Sequence, residues 1–182
     1  MYVAGGDNGS TAPAGTIAKI IFVKLDSLGR ADGDWSTPTF MSTARKLFTA
    51  VAYNGFLYAI GGLDDTGTLL GTVEFAPISM TTGYVGLWSG TTSLPTPIYG
   101  HASVLHNGHV YVIGGHDGAG PVDDVLYAKI NDDGTLGDWK ATTPLPSVRW
   151  GHVALKNGIN VYVIGGSTSS VKSPVVLYAQ FQ

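Results

Sequence analysis

Apolar residues in this chain occur in short runs separated by polar, glycine-rich segments, a pattern that predicts strands and tight turns. Four of these runs end in a pair of glycines. They are Tyr2–Gly6 (YVAGG), Leu57–Gly62 (LYAIGG), Val110–Gly115 and Val161–Gly166 (both VYVIGG). Their nearly continuous apolar character predicts strands buried on both faces. Because the terminal glycines carry no side chain, we expect neighbouring backbones to approach them closely.

The runs recur with a period of slightly more than fifty residues. Their first glycines are 56, 53 and 51 residues apart, at Gly5, Gly61, Gly114 and Gly165. Three tryptophans keep the same period, at Trp35, Trp88 and Trp139. Self-similarity at this length is typical of stacked supersecondary units, here the blades of a β-propeller. We expect the periodic tryptophans to pack one blade against the next.

The repeat from Ile98 to Trp139 predicts how one blade is built. Gly100–Gly108 alternates and ends at Asn-Gly, a strong hairpin signal, and the apolar glycine-pair strand follows it. A third strand, Val125–Ile130, alternates around Tyr127, and Asp138–Ala141 is a short outer strand. The same features mark the other repeats, at Asn54-Gly55, Asn157-Gly158, Phe22, Phe75 and Tyr178. Each repeat is therefore predicted to be a four-stranded antiparallel sheet.

A glycine pair after four apolar residues, an aromatic residue about 13 positions on and a tryptophan about 12 beyond that together resemble the kelch repeat. The resemblance covers the whole chain and implies a kelch-like β-propeller. It does not imply one function, because propellers of this kind include protein-binding adaptors, a galactose oxidase and sialic-acid isomerising enzymes. Fold alone does not fix chemistry.

The predicted strands amount to about three and a half blades, a partial propeller within one repeat domain, residues 1–182. We divide it into a partial blade at 1–40, blades at 41–92 and 93–144, and a partial blade at 145–182. Closed propellers have about four to eight blades, and open sheet edges invite pairing. Three outcomes are open: a piece of a longer array, a strained four-bladed ring, or two copies that join into a larger ring. We favour the last, a homo-oligomer.

Composition narrows the partner classes. Charged residues make up 13% of the chain, the acids are twelve Asp and one Glu, and the net charge is −3. No Lys/Arg cluster exceeds the pair Arg45-Lys46, so nucleic acid is not an expected partner. There is no apolar run of 18 residues, so we expect no membrane span. The absence of cysteine rules out disulfides and thiolate metal sites and does not identify a compartment. We expect an extracellular or cell-surface location if the chain is part of a larger repeat protein.

The candidate ligand-binding residues lie where each first strand begins. Arg45 and Arg149 occupy equivalent positions and are expected to rim one mouth of the central channel, beside Tyr99 and Trp150. Arginine with aromatic residues suits carboxylates, sugars or peptide side chains, although an arginine that braces a loop fits the pattern equally well. His101 and His152 share a further equivalent position, filled by Phe48 in another repeat, which favours structural histidines over ligands.

No catalytic, cofactor or metal site is predicted. The Asp-rich turns lack the spacing of a calcium loop, and no nucleophile motif occurs. The cysteine needed by the galactose-oxidising relatives is absent, and the turn Asn131–Trp139 departs from the sialidase Asp box. The favoured reading is a non-enzymatic module that binds protein or glycan through its loop face. The alternatives are a purely structural assembly unit and a carbohydrate-active enzyme of the sialic-acid isomerising type.

Overall fold

The structure, a computed structural model, describes residues 1–9, 16–36, 39–169 and 171–181. Every regular element within these residues is a β-strand. The strands form four main antiparallel sheets, which we call blades 1 to 4 in chain order. The predicted all-β fold is confirmed, with three, four, four and three strands in successive blades.

The strands of each blade are hydrogen-bonded in chain order. Blade 1 contains β1 (Tyr2–Asp7), β2 (Thr16–Phe22) and β5 (Thr39–Phe40). Blade 2 contains β6 (Thr49–Tyr53), β7 (Phe56–Ile60), β8 (Val73–Pro77) and β9 (Ser89–Thr91). Blade 3 contains β10 (Ala102–His106), β11 (His109–His116), β12 (Pro121–Lys129) and β13 (Lys140–Ala141). Blade 4 contains β14 (Val153–Asn157), β15 (Asn160–Ile164) and β18 (Val176–Gln180). Two small hairpins add β3 (Lys24–Leu25) with β4 (Ala31–Asp32), and β16 (Ser167–Thr168) with β17 (Val171–Lys172).

The outermost strands begin later than the sequence predicts. The outermost strand of blade 3 is Lys140–Ala141, and that of blade 1 is Thr39–Phe40 rather than a strand around Trp35. The reason is visible at Trp139, whose Nε1 donates to the carbonyl of Thr92 in blade 2 at 3.1 Å. Because this residue reaches towards the neighbouring blade, pairing with the third strand of its own blade starts only after it.

The inner hairpins turn at the predicted glycines, with one shift in register. Asn54 and Asn107 have φ values of 46° and 45°, and the following glycines are also in the left-handed region, as a two-residue type I′ turn requires. In blade 4 the pairing runs one residue further, with Asn157 opposite Asn160. Gly158, with φ of 60°, is therefore the first turn residue, and Asn157 ends the strand.

The blades stack face to face, with their first strands as neighbours: β10 lies between β6 and β14. An apolar cluster lies in each of the three interfaces between blades. Blades 1 and 2 meet around Ile20, Leu57 and Ala59. Blades 2 and 3 meet around Tyr58, Ile60, Val110 and Val112, and blades 3 and 4 around Val104, Ile113, Val161 and Val163. Trp88 and Trp139 pack against the first two clusters, as predicted. The prediction is wrong for Trp35, which is 43% exposed and belongs to none of the three clusters.

The glycine pairs hold each blade to the next. The second glycine of each pair donates its N–H to a backbone carbonyl in the loop that enters the next blade. The distance is 3.1 Å from Gly6 to Arg45 and 2.7 Å from Gly115 to Arg149. A Cβ on the first glycine Gly61 would lie 2.6 Å from the carbonyl oxygen of Ile98. The predicted close backbone approach is confirmed, and only glycine permits it.

The stack does not close on itself within the described residues. The face of blade 4 that points away from blade 3 exposes 56% of Val176 and 74% of Tyr178. At the other end, blade 1 exposes 47% of Val3 and 62% of Phe40. The chain is thus a partial propeller with two uncovered apolar faces, and the strained four-bladed ring considered above is not what the structure contains.

Candidate functional site

The mouth face is the end of the stack where the first strand of each blade begins and the second strand ends. There, the residue that enters each first strand pairs with the residue after the glycine pair of the same blade. Three such bridges occur, namely Lys46 with Leu63, Tyr99 with His116, and Trp150 with Ser167. Because the backbone of both partners is fixed by these bridges, their side chains project from a rigid edge.

Three aromatic rings meet on this face, and we call them the aromatic cluster: Tyr99, His116 and Trp150. The rings of Tyr99 and His116 are stacked with centroids 4.9 Å apart. Trp150, from the next blade, presents its ring edge-on to Tyr99 at 5.9 Å and to His116 at 5.8 Å. All three side chains are half-buried, so each keeps an accessible surface. The cluster offers apolar and π surface to a ligand.

Two carboxylates lie in the loops between second and third strands, Asp64 in blade 2 and Asp117 next to His116 in blade 3. Asp64 Oδ1 accepts the backbone N–H groups of Thr66 and Thr68, both at 2.8 Å. Asp117 Oδ1 accepts those of Ala119 and Gly120, both at 2.9 Å. Hydrogen bonds lower the pKa of both carboxyls, from the Thr66 hydroxyl at Asp64 and from the Gly120 N–H at Asp117. The loops are therefore preorganised and anionic at neutral pH.

A cation lies on the same face at the junction of blades 1 and 2. Lys46 Nζ is 2.8 Å from the carboxylate of Asp7. Leu47, the next residue, is 51% exposed and has a φ of 53°. Gly100 and Gly151 fill the equivalent positions at φ of 62° and 64°. Leu47 thus holds a strained backbone while it presents an apolar side chain at the mouth.

The structure corrects the expected position of Arg45 on an open rim. Its side chain is fully buried, ion-paired with Glu74 and hydrogen-bonded to the carbonyl of Gly61 at 2.9 Å. The Glu74 carboxylate also accepts the N–H groups of Ser42 and Thr43, at 2.7 and 3.1 Å. The guanidinium and carboxylate together tie the entering loop to the sheet of blade 2, which is the bracing role that the sequence left open.

Arg149 is also buried rather than exposed at the rim, with 1% of its surface accessible. It donates to the carbonyl of Gly165 at 2.6 Å and to the hydroxyl of Ser173 at 3.2 Å. No carboxylate pairs with it among the described residues, because Leu177 stands in the register position that Glu74 holds in blade 2. Both arginines lie beneath the mouth face, held by carbonyls of their own blade.

His101 and His152 lie deeper, at the starts of adjacent first strands, and both are buried. His101 Nε2 is 2.9 Å from the Thr49 hydroxyl, whereas no side chain among the described residues hydrogen-bonds a ring nitrogen of His152. Desolvation, reinforced by His152, lowers the pKa of His101 to about 3. Desolvation and the Arg149 charge lower that of His152 to about 4. Both imidazoles are neutral near pH 7, and neither faces a ligand space.

Of the six predicted site residues, the structure brings Tyr99 and Trp150 together on the surface and places the other four below it. It adds His116, which the sequence analysis did not single out. The signal was available: His116 directly follows the glycine pair of its repeat, at the position of Asp7, Leu63 and Ser167. Only the bridge between His116 and Tyr99 shows that this position shares the mouth face.

The described part of the chain contains no group of three or more His, Cys, Asp or Glu side chains that could hold a metal ion. A search of the same residues also finds no helix of the length and apolar character that a membrane span requires.

Comparison with known proteins agrees with this architecture. The family model described as the Kelch motif matches residues 97–127, which include Tyr99 and His116. Kelch-like protein 36 of Bos taurus is 28% identical over 178 residues, which are 95% of this chain and 26% of that protein. Beta-scruin of Limulus polyphemus is 29% identical over 139 residues, 75% of this chain and 15% of that protein. Kelch-like protein 33 of Homo sapiens is 34% identical over 87 residues, 48% of this chain and 15% of that protein. The chain spans about a quarter or less of these relatives.

Proposed function

We propose that the chain, which contains a Kelch motif and is similar to kelch-like proteins, is a non-enzymatic interaction module that binds a protein partner through its mouth face. The observation that carries the proposal is the aromatic cluster of Tyr99, His116 and Trp150, three half-buried rings from two blades held on bridged backbone. Aromatic side chains of this kind dominate the energetics of protein interfaces, and they lose little conformational entropy when they bind.

The surrounding charge specifies the partner further. Asp117 follows His116 directly and Asp64 holds a matching place in the loop of blade 2, and both carboxyls are ionised in preorganised loops. An arginine or lysine side chain would gain both a cation–π contact with the rings and attraction to the carboxylates. The proposed ligand is therefore a protein segment with a cationic side chain next to an apolar one. Stacked rings beside carboxylates also fit the face of a sugar, so a glycan is the second candidate for the same surface.

A display library of peptides, screened against the immobilised chain, tests this proposal. Selected peptides are expected to carry Arg or Lys and to lose at least about tenfold in affinity when Trp150→Ala and Tyr99→Ala are introduced, since each removes a central aromatic contact. Tyr84→Ala is the matched control, because Tyr84 is 52% exposed on the outer turn of blade 2. Peptides that bind both variants unchanged would contradict the proposal.

A glycan array with the same three variants separates the second candidate from the first. Glycan binding that is lost in Trp150→Ala and kept in Tyr84→Ala would assign the surface to sugars instead of protein. Incubation of the chain with sialic acids, followed by NMR, addresses the enzymatic alternative. We expect no isomerisation above the uncatalysed rate.

We further propose self-association through the uncovered blade faces. The outer face of blade 4 carries Leu155, Tyr162 and Val176. In blade 2 the same register positions hold Val51, Tyr58 and Val73, and blade 3 packs over these three side chains. Because this exposed face carries the same kinds of side chain as a buried inter-blade face, we expect another blade to pack on it. The proposed blade is blade 1 of a second copy.

Light scattering at micromolar concentration tests self-association. The chain is expected to have at least twice the monomer mass, and Leu155→Lys with Val176→Lys is expected to return it to a monomer. Ile159→Lys serves as control, because Ile159 is 53% exposed in the hairpin turn of blade 4 and lies outside that face. A strictly monomeric mass for the unmodified chain would exclude this proposal and leave the mouth-face proposal untouched.

A further inference from the structure

A groove of about 650 Å³ lies between blades 3 and 4, away from the mouth face. Its walls include Tyr111 and Tyr127 from blade 3, the segment Thr142–Pro146 that leaves blade 3, and Phe181 after the last strand of blade 4. The rings of Tyr111 and Tyr127 are stacked at 5.6 Å, and that of Phe181 lies 4.8 Å from Tyr111. The groove is therefore an aromatic-lined space between two blades.

The equivalent space between blades 2 and 3 is filled. Its occupant is the turn Ile130–Trp139, which joins the third and fourth strands of blade 3 and crosses over blade 2. The hydroxyl of Tyr58 donates to the carbonyl of Gly134 at 2.8 Å. Leu136 is bonded to two threonine hydroxyls of blade 2. Its N–H donates to the Thr91 hydroxyl at 2.7 Å, and its carbonyl accepts from the Thr92 hydroxyl at 2.6 Å.

The interface between blades 1 and 2 also receives a turn. The turn of blade 2 reaches back to blade 1, where the Tyr2 hydroxyl donates to the carbonyl of Gly83 at 3.0 Å. A Cβ on Gly83 would lie 3.0 Å from the Phe22 ring, so this glycine rests directly on an aromatic surface. In blade 1 and in blade 2, therefore, a tyrosine hydroxyl bonds the glycine of a turn from the next blade, and a second aromatic ring lies against that glycine.

The walls of the open groove resemble those of the filled space at matched register positions. Strand register matches Tyr111 to Tyr58 and Tyr127 to Phe75. It matches Thr142-Thr143 to Thr91-Thr92, because the strands before them pair identically. The aromatic platform is also alike, with Tyr58 stacked on Phe75 at 6.1 Å and Tyr111 on Tyr127 at 5.6 Å. The groove therefore has the chemistry of a turn receptor.

The groups that would hold a turn are free in this groove. The Tyr111 hydroxyl makes no hydrogen bond to any described residue, whereas Tyr58 is fully buried and bonded to Gly134. Thr142 and Thr143 are exposed, and the side chains of Thr91 and Thr92 are half-buried under the turn. Phe181 holds in blade 4 the position that Ile130 holds in blade 3. The N–H of Phe181 donates to the carbonyl of Ile159, and the N–H of Ile130 donates to the carbonyl of Gly108. The space beyond Phe181 is where the rest of a turn would lie.

We propose that this groove is a docking site for a polypeptide turn from outside residues 1–182, with a glycine at its tip, an apolar residue two positions later and a tryptophan five positions later. Gly134, Leu136 and Trp139 have this spacing, as do Gly83, Val85 and Trp88. In the proposed complex the carbonyl of that glycine accepts from the Tyr111 hydroxyl. The N–H of the apolar residue donates to the Thr142 hydroxyl, and its carbonyl accepts from the Thr143 hydroxyl. The indole N–H donates to the Thr143 carbonyl.

The turns of a second copy fit this description less well. Two of them are already engaged inside their own chain. The remaining one, Leu25–Trp35, has its tryptophan six residues after Gly29 instead of five, which displaces the indole from the apolar residue. The proposed occupant is therefore a turn that lies outside residues 1–182, and not a turn of a second copy of this chain. This inference does not depend on the mouth face, because none of the three cluster residues lines the groove.

A synthetic peptide of residues 131–141 (NDDGTLGDWKA), labelled at its N-terminus, is the probe. Fluorescence anisotropy is expected to show saturable one-to-one binding to the unmodified chain. A peptide with Trp139→Ala is expected to bind at least about tenfold more weakly. One with Gly134→Ala is expected to weaken likewise, because a Cβ there would lie 2.6 Å from the Phe56 ring in the filled space, and His109 holds the equivalent register position in the groove. Absence of saturable binding at millimolar peptide would overturn the proposal.

Variants of the groove distinguish this site from other surfaces. Tyr111→Phe and Thr143→Val each remove one hydrogen bond and are expected to weaken the peptide about three- to tenfold. Tyr162→Phe, the equivalent tyrosine one blade further on, is expected to leave the affinity unchanged. Binding that ignores both groove variants, or that responds to Tyr162→Phe, would place the peptide elsewhere and overturn the assignment. A peptide that instead lowers the mass of an oligomer would identify a second copy as the natural occupant and equally overturn it.

Discussion

The Thr49 hydroxyl lies 2.9 Å from Nε2 of His101, across the boundary between blades 2 and 3. The same hydroxyl is 2.6 Å from that of Ser103, so the imidazole sits in a small polar network. At the next boundary Ala102 replaces Thr49, so His152 has no hydroxyl partner among the described residues. Two histidines at equivalent positions therefore have different polar surroundings, although burial keeps both neutral.

Acid is expected to destabilise the chain through these histidines. Their pKa values, about 3 and about 4 in the fold, lie below the usual 6.5, so the unfolded chain binds protons first as pH falls. The free energy of unfolding then decreases between pH 7 and pH 4.5, by about 2 kcal/mol for each imidazole. Urea denaturation at the two pH values measures the loss.

The variant His152→Phe isolates one imidazole, because Phe48 fills this position naturally in blade 2. It is expected to retain its stability at pH 4.5 better than the unmodified chain does, by about 2 kcal/mol. Carboxylates that titrate in the same range affect both proteins equally. Identical pH dependence in the two proteins would show that His152 does not contribute.

The buried ion pair of Arg45 and Glu74 predicts a non-additive response to mutation. Arg45→Met leaves the Glu74 carboxylate buried without its cation and is expected to cost about 3–5 kcal/mol. The double variant Arg45→Met with Glu74→Leu removes both charges and is expected to be more stable than the single one, although Ser42 and Thr43 lose an acceptor. Chemical denaturation of both variants checks this. A double variant less stable than Arg45→Met would contradict it.

The inter-blade glycines are expected to tolerate no side chain. In Gly61→Ala the Cβ meets the carbonyl of Ile98 at 2.6 Å with φ at 61°, so crowding and backbone strain add to about 3 kcal/mol or more. Gly67→Ala is the control, because its φ of 83° carries similar strain while nothing lies within 4 Å of the new atom. We expect about 1–2 kcal/mol there. Equal thermal unfolding of the two variants would refute the role of close approach.

Two tyrosines in register predict opposite outcomes for the loss of a hydroxyl. Tyr58→Phe removes the hydrogen bond to the Gly134 carbonyl and leaves that acceptor buried, at an expected cost of about 1–2 kcal/mol. Tyr111→Phe removes no hydrogen bond within the described residues and is expected to change stability by less than about 0.5 kcal/mol. Burial, with a smaller effect of Asp133, also raises the pKa of Tyr58 to about 12, which ultraviolet titration can follow. A large loss in Tyr111→Phe would mean that its hydroxyl is already bonded.

The sequence by itself determined the blade, because its signals are local. Alternation, Asn-Gly turns and glycine pairs act through neighbouring residues and the repeat period, so strand order and the close approach at Gly61 could be predicted. It could not place a side chain relative to another blade. Arg45 and Arg149 share their repeat position with the buried Ile98, and only tertiary contacts show that carbonyls beneath the mouth capture the two guanidinium groups.

The tertiary structure decided which surfaces remain free. Tyr58 and Tyr111 occupy the same place in their repeats, and the sequence around each predicts the same strand. One is covered by a turn that arrives from more than seventy residues away, and the other faces an open groove. The same long-range packing joined His116 to Tyr99 and Trp150. Contacts between blades depend on distant segments meeting in space, which no local pattern encodes.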